Sequence, residues 1–460
     1  MRRHAVALAL AATLAVGETA LAQSAPADGA ESAVQARQGL DATARRGVVE
    51  AAVRLLTEAY VYPDAGRQAA TVISRNLAAG EYDAITEPGA FARRLSEDLN
   101  DVAHDKHLRV FAEGQGPERD GDNGPPPRSE LGFARVDVLD GNVGYVELTG
   151  FVPAGLFRPA ADKAMRLLAG TDALVIDLRG NRGGDPAAVA YLASFFFDAK
   201  EPVHLNDLLW REAGTAEYRR EVFRTEATPL SYLDKPVVLL TGPRTFSGGE
   251  EFAYDMQALK RATLVGESTG GGANPGDMQP LQAGLAIFLP TGRAENPVTR
   301  TSWEGAGVQP DLPSPPAEAF ASAYRTAQRA AGKTSLADTP LSGPDDVLSE
   351  RLLMLRTTAQ PGSEAAIRRS IAEFQAGTPR YDLLSPFLAE RTRADLPYIH
   401  ADIVQFGAVE SVDFIEVGPM GDDVYEVKFA RGVWLWSILL DEDGTIVMAG
   451  FRPKGPASGA

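Results

Sequence analysis

Of the side chains able to do chemistry, Ser247 has the most telling surroundings, the run Thr241-Gly-Pro-Arg-Thr-Phe-Ser247-Gly-Gly-Glu250. The apolar stretch 236–240 before it reads as a buried strand, and 251–260 after it has the spacing of an amphipathic helix. A serine at a glycine-rich strand-to-helix turn presents its hydroxyl outward. Small neighbours let a substrate carbonyl approach the backbone, and the helix start offers unpaired N–H groups to an oxyanion. Serine is also a favoured helix N-cap. Nucleophilic chemistry therefore needs partners elsewhere: a base, an orienting acid and oxyanion donors.

Four histidines beyond the N-terminal leader are candidate bases: His104, His107, His204 and His400. His400 falls in a helical stretch and His204 follows Pro202 in a loop. His104 and His107 flank Asp105-Lys106, where a helical region meets a strand, and such junctions favour clefts. The turn Asp177-Leu-Arg-Gly-Asn-Arg-Gly-Gly184 ends a buried strand and opens a helix, at the sheet edge where ligands bind in open α/β folds. Gly183 and Gly184 would aim backbone N–H groups beside that of Gly248, although any tight turn uses such glycines. Asp177, Arg179 and Glu250 read as scaffold, supplying ion pairing and helix-start charge.

These residues need a framework, and the pattern predicts one. A basic start and a short apolar run end at Ala20-Leu-Ala22, predicting a signal peptide over 1–22 with cleavage after Ala22 and a periplasmic or secreted protein. Residues 23–46 read as a loose leader and 47–112 as a helical domain closed by a short strand. A Gly/Pro/charged linker follows, and then strands and helices alternate over 131–325 as in a layered α/β domain. Beyond a Pro/Ser/Gly-rich boundary, residues 346–453 predict helices followed by an antiparallel meander, an α+β appendage with Trp434 and Trp436 in its core.

The chain of 460 residues has no cysteine, which excludes disulfides, thiol nucleophiles and Cys-ligated zinc. A formal net charge of −17 disfavours nucleic acid and anionic lipid as partners. No segment is long and apolar enough for membrane insertion. Walker, dinucleotide-binding and HExxH motifs are missing from the sequence, so neither a cofactor nor a metal is expected.

In this order the pieces resemble the C-terminal processing (tail-specific) serine peptidase family. The similarity is greatest to the branch shared with interphotoreceptor retinoid-binding protein and the tricorn protease core. The matching stretches are Glu58-Ala-Tyr-Val-Tyr-Pro63, Asp105-Lys-His107-Leu, Gly144-Tyr-Val-Glu-Leu, Asp177 to Gly184, Thr245 to Glu250, Val265 to Gly272, and Asn296 to Asp311. The resemblance implies a layered α/β peptidase core of the ClpP/crotonase type, with Ser247 as nucleophile. Members with an inserted PDZ domain use a lysine 25 residues beyond the serine; here that position is Gly272, and the short linker cannot hold a PDZ domain. The tricorn-like branch implies His107 as base and Glu304 as orienting acid, with Gly248 and Gly183 or Gly184 holding the oxyanion. It implies a peptide or protein substrate cleaved through an acyl-enzyme.

Two other functions fit the same sequence. Retinoid-binding relatives use this fold to hold apolar ligands, although a pure binder has no physical need for a Ser/His/Glu set. An esterase or narrow-specificity peptidase would use the appendage, similar to cystatin-like folds, to restrict access or to form an oligomer.

Overall fold

Among the described residues the first helix, α1 (Ala42–Ala59), starts where the Asp41 carboxylate accepts the N–H of Ala44. The helix starts within the stretch expected to be a loose leader, because Asp41 caps it and Val48, Val49, Ala52 and Leu56 give it one apolar face. The computed structural model describes residues 39–112, 128–198, 200–333, 341–441 and 443–454; the expected signal peptide and most of the linker lie outside them. By contacts the chain divides into two compact units. The larger contains the described residues before 113 together with Arg135–Leu353; the smaller contains 128–134 and Met354 onward.

In the larger unit α1 packs with α2 (Pro63–Ala78) and α3 (Pro88–Ala103), both started by proline in the first turn. Their apolar faces do not close on one another alone. Val48, Leu56, Ile73, Phe91, Leu95 and Leu99 share a core with Leu108 and Val110, and with Leu285, Ile287 and Leu289 from far along the chain. Strand β1 (Arg109–Ala112) pairs antiparallel with β10 (Leu285–Pro290), and β10 pairs with β9 (Gly276–Pro280). The helical layer thus rests on a three-stranded sheet, and the chain just before β1 is anchored from both sides.

A second sheet carries the rest of the core. Its strand order is β12-β8-β7-β4-β3-β2-β13. These are β12 (Leu312–Pro313), β8 (Thr263–Gly266), β7 (Val237–Thr241), β4 (Ala173–Asp177), β3 (Val143–Leu148), β2 (Phe133–Leu139) and β13 (Ser349–Arg351). Strands β3, β4, β7, β8 and the edge strand β12 run parallel, and β4 and β7 are buried along their whole length. Helices α4 (Ala154–Leu168), α5 (Pro186–Ser194), α6 (Gly248–Ala258) and α7 (Pro316–Ala330) complete this α/β layer. Because β4 and β7 are parallel neighbours, with Asp177 opposite Leu240, the turns leaving them emerge side by side. A hairpin of β5 (His204–Arg211) and β6 (Tyr218–Arg224), joined at its edge by β11 (Gly292–Glu295), was not anticipated. Its outer strand is rich in Arg and Glu and offers no apolar alternation to read.

The smaller unit packs α8 (Ser363–Ala376) and α9 (Pro386–Phe406) with a four-stranded antiparallel sheet in sequential order. The strands are β14 (Val409–Val417), β15 (Asp423–Phe429), β16 (Gly432–Leu440) and β17 (Ile446–Pro453). Trp434 and Trp436 lie in its core against Phe406 and Phe451. The region before α8, read as helix from 346, is instead a turn and the edge strand β13.

Candidate active site

Ser247 sits between β7 and α6 with φ 51° and ψ −122°, the conformation of the second residue of a type II′ turn, which glycine ordinarily fills. Gly249 N–H closes the turn on Phe246 C=O at 2.9 Å. Holding a serine there costs about 1–3 kcal/mol, and Glu250 offsets it. The Glu250 side chain is wholly buried and accepts the N–H groups of Ser247 (2.9 Å), Gly271 (2.6 Å) and Gly272 (2.8 Å), along with the Thr269 hydroxyl. It is more than a helix-start charge, because it ties the strained turn to the 269–272 segment. Its spacing after Ser247 is that of an S-x-x-E capping box, a signal the sequence did contain.

The neighbouring turn after β4 packs directly against this one. A side-chain carbon on Gly183 would lie 2.7 Å from both Ser247 Cβ and Gly248 N, so only glycine allows the approach. Asn181 is fully buried and braces both turns. Its side-chain oxygen accepts Gly183 N–H (2.8 Å) and its backbone carbonyl accepts Phe246 N–H (3.0 Å). The N–H of Gly183 is thereby engaged, whereas those of Gly184 and Gly248 donate to no group among the described residues. Asp177 accepts the Tyr145 hydroxyl and pairs with Arg179 (2.7 Å), as suits a scaffold.

His107 reaches the site from the other sheet. Its ring stacks on Phe288 of β10 (5.6 Å between centroids) and meets Phe246, the residue before Ser247, at 4.6 Å. Burial drives its imidazole down to about 4, with the Arg109 charge adding to the effect, so it is neutral at ordinary pH. Its Nδ1 is buried without a hydrogen-bond partner. The other three candidate histidines lie in other settings. His104 ends α3 with φ 52°, His204 bonds Asp207, and His400 bonds the Phe374 carbonyl. The Lys106 ammonium donates to Gly270 C=O.

Glu304 arrives on a loop docked across 269–273. Gly305 N–H bonds Gly271 C=O (3.1 Å), Trp303 Nε1–H bonds Gly272 C=O (2.7 Å), and Ala273 N–H bonds Glu304 Oε2. Glu304 Oε1 is buried and unpartnered. Burial, reinforced by the nearby Asp105 charge, pushes this carboxyl up to about 8. One donor atom each from Asp105, His107 and Glu304 lies within 4.8 Å of the others. Asp105 is buried, accepting the Tyr60 hydroxyl (3.0 Å), Asn274 Nδ2 (3.0 Å) and the His107 N–H (2.9 Å). Burial raises its carboxyl as well. Tyr62 bonds Asn274 in turn, and its own hydroxyl is pushed up to about 12 by burial.

Gly272 explains the missing lysine. A side-chain carbon there would lie 2.3 Å from Phe246 Cζ and 2.7 Å from His107 Cε1. The imidazole and its aromatic support occupy the space a residue-272 side chain would need. Asp105 belongs to a stretch singled out in the sequence, but its bonds to Tyr60 and Asn274 come from separate segments and are not legible there. Nor is the bracing by Asn181.

Comparison with known proteins places the chain in a family. Residues 142–314 match peptidase family S41, and residues 30–131 match the N-terminal domain of Peptidase_S41 in eukaryotic IRBP. Together these spans exceed half of the chain, which belongs to peptidase family S41. Carboxyl-terminal-processing peptidase 2 of Arabidopsis thaliana is 28% identical over 175 residues, covering 38% of this chain and 32% of that one. The carboxyl-terminal-processing protease of Synechocystis sp. is 29% identical over 171 residues, 37% of each chain. This chain thus spans about a third of the length of these relatives. A putative peptidase from Parabacteroides merdae has a crystal structure with 20% identity and a TM-score of 0.45, covering 59% of this chain and 90% of that one.

Proposed function

We propose that this chain is an exported serine peptidase that hydrolyses peptide bonds in protein substrates through an acyl-enzyme. Ser247 Oγ attacks the scissile carbonyl carbon while His107 takes its proton. The carbonyl oxygen becomes the oxyanion and is met by the N–H groups of Gly248 and Gly184, the pair left unengaged at the two turns. His107 then returns the proton to the departing amine as the C–N bond breaks. Water, deprotonated by the same imidazole, releases the acyl group. Glu304, as carboxylate, stabilises the imidazolium.

The observation that carries this reading is convergence. A strained Ser247 turn, a neutral half-buried imidazole and the Glu304 carboxyl group come from three distant segments to the surroundings of Phe246 and Gly272. The carboxyl-terminal-processing relatives support a protein substrate. Export rests on the N-terminal leader, and mass spectrometry of the secreted protein should find a mature chain beginning at Gln23. A fluorophosphonate probe tests the chemistry: it should label the wild-type chain and not Ser247→Ala. Equal labelling of both would end the proposal.

A further inference from the structure

We propose that Asp105, His107 and Glu304 form a reversible site for one zinc-class divalent cation, whose binding switches the hydrolase off. The binding stands on the geometry alone; the loss of activity rests on the reading of His107 as the base.

Two donor atoms on these side chains are left without a protein partner. His107 Nδ1 and Glu304 Oε1 are both buried and lack hydrogen-bond partners. The third ligand, the Asp105 carboxylate, is fixed by Tyr60, Asn274 and the His107 backbone, while Ala273 N–H holds the far oxygen of Glu304. Such outer hydrogen bonds are what orient ligating side chains around a metal. Neither carboxylate is ion-paired with a cationic side chain among the described residues, so the two acids face each other without a salt-bridge partner.

Zinc bound at about 2.0–2.2 Å sets its ligand atoms roughly 3.3–3.6 Å apart. One donor atom from each of the three side chains lies within 4.8 Å of the others, so ligation requires them to close by at most about 1.5 Å. One imidazole and two carboxylates suit zinc and its transition-metal neighbours. Calcium and magnesium prefer six or more oxygen ligands, which this cluster does not offer. A fourth position is left for water.

The consequence follows from imidazole chemistry. A neutral ring ligated through Nδ1 carries its hydrogen on Nε2, so Nε2 no longer accepts the Ser247 proton. The cation also takes Glu304 away from imidazolium stabilisation.

The test uses the full chain freed of metal by chelation. Zinc is titrated in competition with a chromogenic chelator, and cobalt(II) absorption reports nitrogen and oxygen ligation. Wild type and Ser247→Ala should each bind one ion, because Ser247 is not a ligand. Glu304→Gln and His107→Gln, checked for folding by thermal melting, should bind at least tenfold more weakly. Zinc should abolish fluorophosphonate labelling of the wild type, and EDTA should restore it. Absence of binding, or affinity unchanged in both ligand variants, overturns the site. Binding as expected with no labelling at any zinc level would uphold the cation site and overturn the hydrolase reading instead.

Discussion

Replacing Gly272 with alanine tests the site at its tightest point. The new carbon would sit 2.3 Å from Phe246 Cζ, 2.5 Å from its Cε2 and 2.7 Å from His107 Cε1. Carbon atoms pack comfortably at about 3.5–4.0 Å, so the aromatic ring must retreat by roughly 1 Å or more and the imidazole by somewhat less. The backbone cannot absorb the change. Gly272 N–H is held by Glu250 and its carbonyl by Trp303, while Phe246 is bonded through both its N–H and its C=O. Overpacking of this kind costs about 1–3 kcal/mol, and a misplacement of about 1 Å lowers a rate on the order of 100-fold. The second-order rate constant for fluorophosphonate labelling should therefore fall about 100-fold, with a modest drop in melting temperature. Gly272→Lys should be no more active, because the lysine displaces the imidazole it would replace. Labelling within threefold of wild type at an unchanged melting temperature would refute the claim that this space positions the base.

Further expectations follow from the same contacts. With His107 at about 4 and Glu304 at about 8, acylation should rise through a single limb between pH 6 and 9, about tenfold from pH 7 to 9, and the limb should vanish in Glu304→Gln. A flat wild-type profile would contradict it. Because the folded state depresses the His107 proton affinity, its stabilising contribution is present above about pH 6.5 and is lost as pH falls through 4; melting of the wild type should drop over that window more than that of His107→Gln. Glu304 has the opposite sign: its raised affinity stabilises at low pH, and the contribution is lost as pH rises through about 8, a loss Glu304→Gln should not show. Glu250→Gln places an amide among four donors and should cost about 1–3 kcal/mol in denaturant unfolding while slowing labelling. Unchanged unfolding would mean those bonds are dispensable.

How much of this was legible in the sequence depends on range. The turns at 177–184 and 241–250 were readable because glycine placement and the flanking apolar runs are local signals, and β4 and β7 then bring them together. The resemblance pointed to His107 and Glu304, but nothing local shows that His107 is supported by Phe288, some 180 residues on, or that Gly272 is small to make room for it. The Gly183 N–H could not be told from that of Gly184 until Asn181 was seen to occupy it. Edge strands β6 and β9 escaped because charged or Gly/Pro-bounded segments carry no alternation, their pairing being decided by the neighbouring strand.

The helices before His107 share their core with Leu285, Ile287 and Leu289. A growing polypeptide that has emerged only as far as Ser247 therefore possesses its alcohol but lacks the strand that fixes His107, and Glu304 follows later still. On the proposed reading, chemical competence is postponed until nearly the whole of this layer has been made.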